Sequence, residues 1–140
     1  MPEKFVWNLQ YSVHSDEIDD QHKRFFEIIN ELYDLLDKKP IELEPFLILI
    51  THLGDYAFYH FATEEGYFKI FNYAHAEEHI LQHDIFRTKS TEFLERARYQ
   101  KKNLEPLTEE VAEFAKTWLK HHILLEDVRY MPMLRKHGVK

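Results

Sequence analysis

The chain is predicted to be all-α, an up-down-up-down four-helix bundle with an irregular N-terminal arm, and three observations predict it. Glycine and proline are rare, 3 and 5 in 140 residues, and stand as punctuation at Pro40 to Pro45 and in the charged QKKNLEP before Thr108, with a further break near Asn72. Between these breaks, long segments carry apolar residues at steps of three and four, the repeat of a helix with one buried stripe. The connections are short, which makes successive helices antiparallel neighbours. A chain of 140 residues that is 44% hydrophobic suits a single domain. Its expected parts are an arm over residues 1–14, a bundle over 15–130 and a short tail.

The arm carries Phe5, Trp7 and Tyr11, expected to pack on one end of the bundle. The first helix, Ser15 to Asp37, shows Ile18, Phe25, Ile29, Leu32 and Leu36, and the step missing from this stripe is His22. In the second, Glu44 to Phe71, the stripe runs Phe46, Leu49, Leu53 and Ala57, then turns polar at His60 and Glu64 before Tyr67. A third, Tyr73 to Arg98, runs His79, His83, Phe86, Phe93 and Ala97, with Ser90 its one soft step. The fourth, Thr108 to Tyr130, runs Val111, Ala115, Trp118, His122 and Leu125. Its Glu109 and Glu110 suit the positive end of a helix dipole.

Composition excludes several kinds of chemistry. With no cysteine there is no disulfide, thiolate ligand or thiol nucleophile, so any metal would be held by nitrogen and oxygen. A net charge of −7 argues against a nucleic-acid partner, which would require a basic face. No segment is long and apolar enough for a signal peptide or a bilayer span, so a cytoplasmic protein without membrane attachment is expected. The ten histidines are the outstanding feature, since imidazole is the commonest metal ligand.

Each of the four helices places histidine on its buried stripe. Residues four apart on a helix stand roughly 6 Å apart on one face, so HFATE (60–64) and HILQH (79–83) can each aim two ligands at one small ion. The fourth helix adds His122 with an acid, and its HHILLEDVRY (121–130) offers both Glu126 and Asp127; spacing alone favours Glu126, which repeats the step of HFATE. A lone HxxxE or HxxxH is commonplace on a solvated helix. Four such signals in phase with four apolar stripes are not, because each buried polar group without a partner costs about 1–3 kcal/mol. Five imidazoles and two carboxylates exceed the needs of one ion and suit two with bridging carboxylates, and a nitrogen-rich pair inside a bundle points first to iron.

On IDDQH (18–22), HFATEE (60–65), YAHAEEHILQHDIF (73–86) and WLKHHILLEDVRY (118–130), the sequence resembles the hemerythrins, in particular the single-domain bacteriohemerythrins. The resemblance covers nearly the whole chain. It implies two iron ions, one held by His22 and His60, the other by His79, His83 and His122, bridged by Glu64, Asp127 and a solvent-derived oxo or hydroxo group. The family's HxxxxD pattern is what selects Asp127 over Glu126. It further implies reversible dioxygen binding at the two-histidine iron, for carriage, storage or delivery, in a pocket lined by Phe25, Phe61, Trp118, Leu119 and Ile123. The residues depart from the pattern at Asn72 and Ala74, where the family usually shows glycine and proline; asparagine tolerates the left-handed conformation such a turn needs.

Other uses of the same metals are a redox enzyme acting on peroxide, nitric oxide or dioxygen, and an oxygen or redox sensor that passes a conformational change to a partner. A competing motif is HAEEH (75–79), which matches the HxxEH signature of inverted zinc peptidases with Glu78 as base. It leaves His22, His60, His83 and His122 without a role. Among the remaining histidines, His14 falls in the arm, His121 on a helix flank and His137 in a solvated tail, while His52 lies two turns before His60, within reach of the ligands' outer partners. Tyr130, one turn after Asp127, is a candidate outer partner as well.

Overall fold

The computed structural model describes residues 4–38 and 40–139. Its helices are α1 (Asp16–Leu36), α2 (Leu43–Phe71), α3 (Ala76–Gln100), α4 (Glu105–Leu125) and a short α5 (Met131–Lys136), with 3-10 turns at Leu9–Tyr11 and Asp127–Tyr130. There is no strand among the described residues. Helix α1 packs on α2 and α4, and α3 closes the ring between α2 and α4. Tyr33 bonds Glu113 at one end while His22 meets Asp127 at the other, so α1 and α4 run antiparallel, as expected of an up-down bundle. Among the described residues no helix is long and apolar enough to cross a membrane.

The helix ends follow local chemistry. Extended Ser15 accepts the Ile18 N–H at 3.4 Å, and Asp16, Glu17 and Asp19 stand at the positive end of α1. Asn72 ends α2 in the left-handed region, φ 52° and ψ 54°, and the Tyr73 N–H closes the turn on the Phe68 carbonyl. Helix α3 starts at Ala76 rather than Tyr73. Helix α4 starts at Glu105, three residues before the expected Thr108, because Pro106 lies in the first turn, where no N–H is needed. Glu105 therefore occupies that first turn, and Glu110, one turn further on, pairs with Arg96 of α3 instead.

The buried stripes also differ in detail. On α2 the buried positions are Ile50 and Phe68 rather than Leu49 and Tyr67, and on α4 Leu119 is buried while Trp118 is only partly so. Each helix touches two neighbours, which widens its apolar face beyond a single row. Leu125 is 65% exposed, since it opens onto a surface groove of about 750 Å³ between α3 and α4. The soft step at Ser90 faces Gly54 of α2, where an added Cβ would come within 3.1 Å of the Ser90 Oγ.

The arm lies along the flank of α1 rather than across an end of the bundle. Asn30 holds it by accepting the Phe5 N–H at 2.7 Å and donating to the Phe5 carbonyl at 2.8 Å, while Phe5 stacks on Phe26 at 3.6 Å. Further along, the Ser12 hydroxyl and the Val13 N–H both donate to Asp19. Phe26 and Asn30 lie outside the stripe read from sequence, and they form the arm's seat. A second apolar cluster of Val13, Ile18, Phe68, Tyr130 and Leu134 closes the end of the bundle where α5 packs.

Candidate metal centre

Seven polar side chains converge inside the bundle: His22 from α1, His60 and Glu64 from α2, His79 and His83 from α3, His122 from α4, and Asp127 from the turn after it. None is more than 4% exposed. They form two groups, His22, His60, Glu64 and Asp127, and Glu64, His79, His83 and His122, each with one ligand atom per residue within 4.8 Å of the others. The Asp127 oxygens divide, Oδ2 at 3.0 Å from His22 Nε2, Oδ1 at 3.0 Å from His79 Nε2 and 3.1 Å from His122 Nε2. Glu64 Oε1 stands 3.2 Å from both His60 Nε2 and His83 Nε2.

The backbone explains why Asp127 rather than Glu126 turns inward. In an unbroken helix Asp127 would lie about 140° around from His122. Helix α4 stops at Leu125, Glu126 becomes its cap, and the tighter turn from Asp127 to Tyr130 carries both Asp127 and Tyr130 into the interior. Glu126 faces outward toward Arg129.

Nine buried side-chain atoms lack a hydrogen-bond partner among the described residues, and all nine belong to these seven side chains. Six of the nine face the cluster, namely Nε2 of His22, His60 and His83, Oε1 of Glu64 and both oxygens of Asp127, while Nε2 of His79 and of His122 stand 2.9 Å apart, close approaches of the kind ligand atoms aimed at a common point produce. The donor set, imidazole plus carboxylate with no sulfur, suits iron or zinc. Charge supports the same conclusion. Burial alone would raise the Asp127 carboxyl, but the imidazoles around it, His122 foremost, hold it well below the usual carboxylate range. Burial would likewise raise Glu64, and the neighbouring Asp127 carboxylate adds to that, yet His60 and His83 bring it down. At His60 burial dominates and pushes the imidazole toward the neutral, ligating form.

Outer partners fix two tautomers. His60 Nδ1 donates to the Gln21 amide oxygen at 2.7 Å, and His83 Nδ1 to Glu65 at 2.7 Å, which turns each Nε2 toward the cluster. The Gln21 amide in turn donates to Thr63 at 3.3 Å, and Arg87 donates to Glu65 at 2.8 Å. Sequence reasoning missed Gln21, Glu65 and Arg87, although the first two adjoin the cluster residues His22 and Glu64 in IDDQH and HFATEE. Tyr130 does act as an outer partner, but its hydroxyl bonds Glu64 rather than Asp127.

Rings pack around the cluster. Phe61 stacks on His83 at 4.0 Å and 8°, Trp118 on His122 at 4.4 Å and 13°, and Phe25 meets His60 edge-on at 6.1 Å. Leu119 and Ile123 are fully buried in the same apolar cluster. The other histidines stay outside. His14, His52, His75, His121 and His137 are exposed; His52 lines a surface cleft with Arg24 and Tyr59, and His137 stacks on Phe71 at 4.1 Å. His75 sits at the α3 N-cap and Glu78 meets Arg129, so HAEEH assembles no peptidase site.

Fold and site together define an all-α bundle with an internal nitrogen and oxygen cluster able to hold metal. The chain belongs to the hemerythrin family: residues 13–134 match the family described as hemerythrin HHE cation binding domain. It is 32% identical to a bacteriohemerythrin of Clostridium acetobutylicum over 91% of this chain and 98% of that one. To a hemerythrin chain of Sipunculus nudus it is 28% identical, over 96% of this chain and 97% of that one. A crystal structure of wild-type hemerythrin, 24% identical, shares the fold with a TM-score of 0.82, covering 94% of this chain and 98% of its own.

Proposed function

We propose that the chain binds dioxygen reversibly at a non-haem di-iron centre. His22 and His60 would hold one iron, His79, His83 and His122 the other, with Glu64 and Asp127 bridging. The observation that carries this reading is the convergence of five buried imidazoles and two buried carboxylates into two groups sharing Glu64. An iron pair held there would supply the two electrons that reversible dioxygen binding uses.

The chain's own residues prepare that chemistry. Two imidazoles against three leave the first ion the poorer in protein ligands, and so the one with room for a small molecule. Phe25, Phe61, Leu119 and Ile123, all fully buried, keep water from the reacting atoms. Gln21 and Glu65 hold two imidazoles in the ligating tautomer, and the Tyr130 hydroxyl fixes one oxygen of Glu64 so that the other faces the cluster.

The test is anaerobic loading with ferrous iron, then mixing with dioxygen while recording the absorption spectrum. A new band that disappears under vacuum supports the reading. A spectrum that never changes removes it. Sustained consumption of peroxide or nitric oxide with a reductant, abolished by His60→Ala, would replace the carrier with a redox enzyme.

A further inference from the structure

The five inward histidines are not equivalent in what stands behind them. Among the described residues, only His83 gives its second ring nitrogen to a carboxylate: the contact with Glu65 Oε2 is 2.7 Å. His60 faces a neutral amide at the same distance, and the Nδ1 atoms of His22, His79 and His122 have no partner among the described residues. A carboxylate behind an imidazole makes that ring a stronger electron donor, because the anion favours partial transfer of the Nδ1 proton. His83 belongs to the three-histidine group.

Glu65 does not act alone. The same Oε2 accepts from Arg87 Nη2 at 2.8 Å, and Arg87 Nη1 is shared with Asp84 at 2.9 Å. The guanidinium carbon lies 5.3 Å from the centre of the Phe61 ring, and that ring stacks on His83. Arg87 therefore draws charge away from the oxygen that polarises His83. The Glu65 and Arg87 side chains are 24% and 29% exposed, so both can be changed without opening the core.

We propose that Glu65, counterbalanced by Arg87, sets the donor strength of His83 and through it the reduction potential of the ion in the three-histidine site. The inference rests on the di-iron reading above. It makes Glu65 and Arg87 positioning residues of opposite sign. The more strongly donating set falls on the ion with more protein ligands. The ion left open for a small molecule is backed at His60 by a neutral group.

Two measurements test it. In protein loaded with zinc as a diamagnetic probe, NMR of the His83 ring should show a weaker hydrogen bond from Nδ1–H to residue 65 in Glu65→Gln and a stronger one in Arg87→Met, with the His60 ring unmoved. In iron-loaded protein the midpoint potential should rise in Glu65→Gln and fall in Arg87→Met. Iron affinity by chelator competition should drop about tenfold in Glu65→Gln. A Glu65→Gln protein whose potential and His83 signals match the parent overturns the proposal. So does Arg87→Met shifting in the same direction as Glu65→Gln, or a His60 ring that moves as far as His83. A parent chain that retains neither zinc nor iron would instead remove the di-iron reading itself.

Discussion

The Tyr130 hydroxyl donates to Glu64 Oε2 at 2.5 Å across 66 residues of sequence, tying the turn after α4 to the middle of the cluster. Burial and the adjacent Glu64 carboxylate push the phenol well above its ordinary range, so it stays a donor at every physiological pH. Tyr130→Phe should leave Glu64 with an unpaired buried oxygen. Hydrogen bonds to charged groups are worth about 1.5–3 kcal/mol, and the metal-free protein should lose stability on that order in urea titration. Unchanged stability would mean that the bond contributes nothing.

Asp127 and its neighbour make a paired test. Asp127 is fully buried with both oxygens among imidazoles, whereas Glu126 faces Arg129. Asp127→Ala should lower the metal content of purified protein, and Glu126→Ala should leave it unchanged. Equal retention by both variants would exclude Asp127 as a ligand.

His22 separates the folding role of the cluster from its binding role. Both its ring nitrogens are buried without hydrogen-bond partners. His22→Leu should leave the metal-free protein as stable as the parent, or more so by up to about 3 kcal/mol. With metal present the order should reverse, because a ligand at a hundred times its dissociation constant stabilises the native state by about 2.7 kcal/mol. Thermal melts with and without chelator decide the matter. A variant destabilised equally in both conditions would mean that His22 serves packing alone.

Metal uptake should release protons. Burial disfavours a charged His83, but the Glu64 and Glu65 carboxylates on its two nitrogens outweigh that and lift it to about 9 in the metal-free protein. At pH 7 the ring therefore carries a proton that a metal must displace. Affinity should climb with pH and level off as pH rises through about 9. His60, pushed the other way, is already neutral and releases nothing. Calorimetric titration in buffers of different ionisation enthalpy measures the count, and an enthalpy independent of buffer would refute it.

The bundle and the inward turn of every cluster histidine were legible in the sequence, because stripe periodicity reports burial whether the buried group is leucine or imidazole. Helix ends were less so: Pro106 reads as a breaker until its place in a first turn is known, and Tyr73, which lies outside any helix, looks helical from its neighbours. At the cluster, the choice of Asp127 over Glu126 depends on where α4 stops, a change of backbone pitch that leaves no periodic trace. Glu65 was invisible for another reason. A partly exposed acid beside a ligand looks like solvated surface, and its role appears only when Arg87, one turn beyond His83, closes on it.

The seven cluster residues lie in the half of the bundle nearest the α2 to α3 turn, while Leu32, Phe46, Ile50, Phe93, Leu104, Leu107 and Val111 line the other half, where the hydroxyl of buried Thr108 donates to the Leu104 carbonyl. That second half has no use for an ion. In the metal-free protein, amide exchange should grade along the bundle axis, slow at the oily end and fast at the histidine cluster.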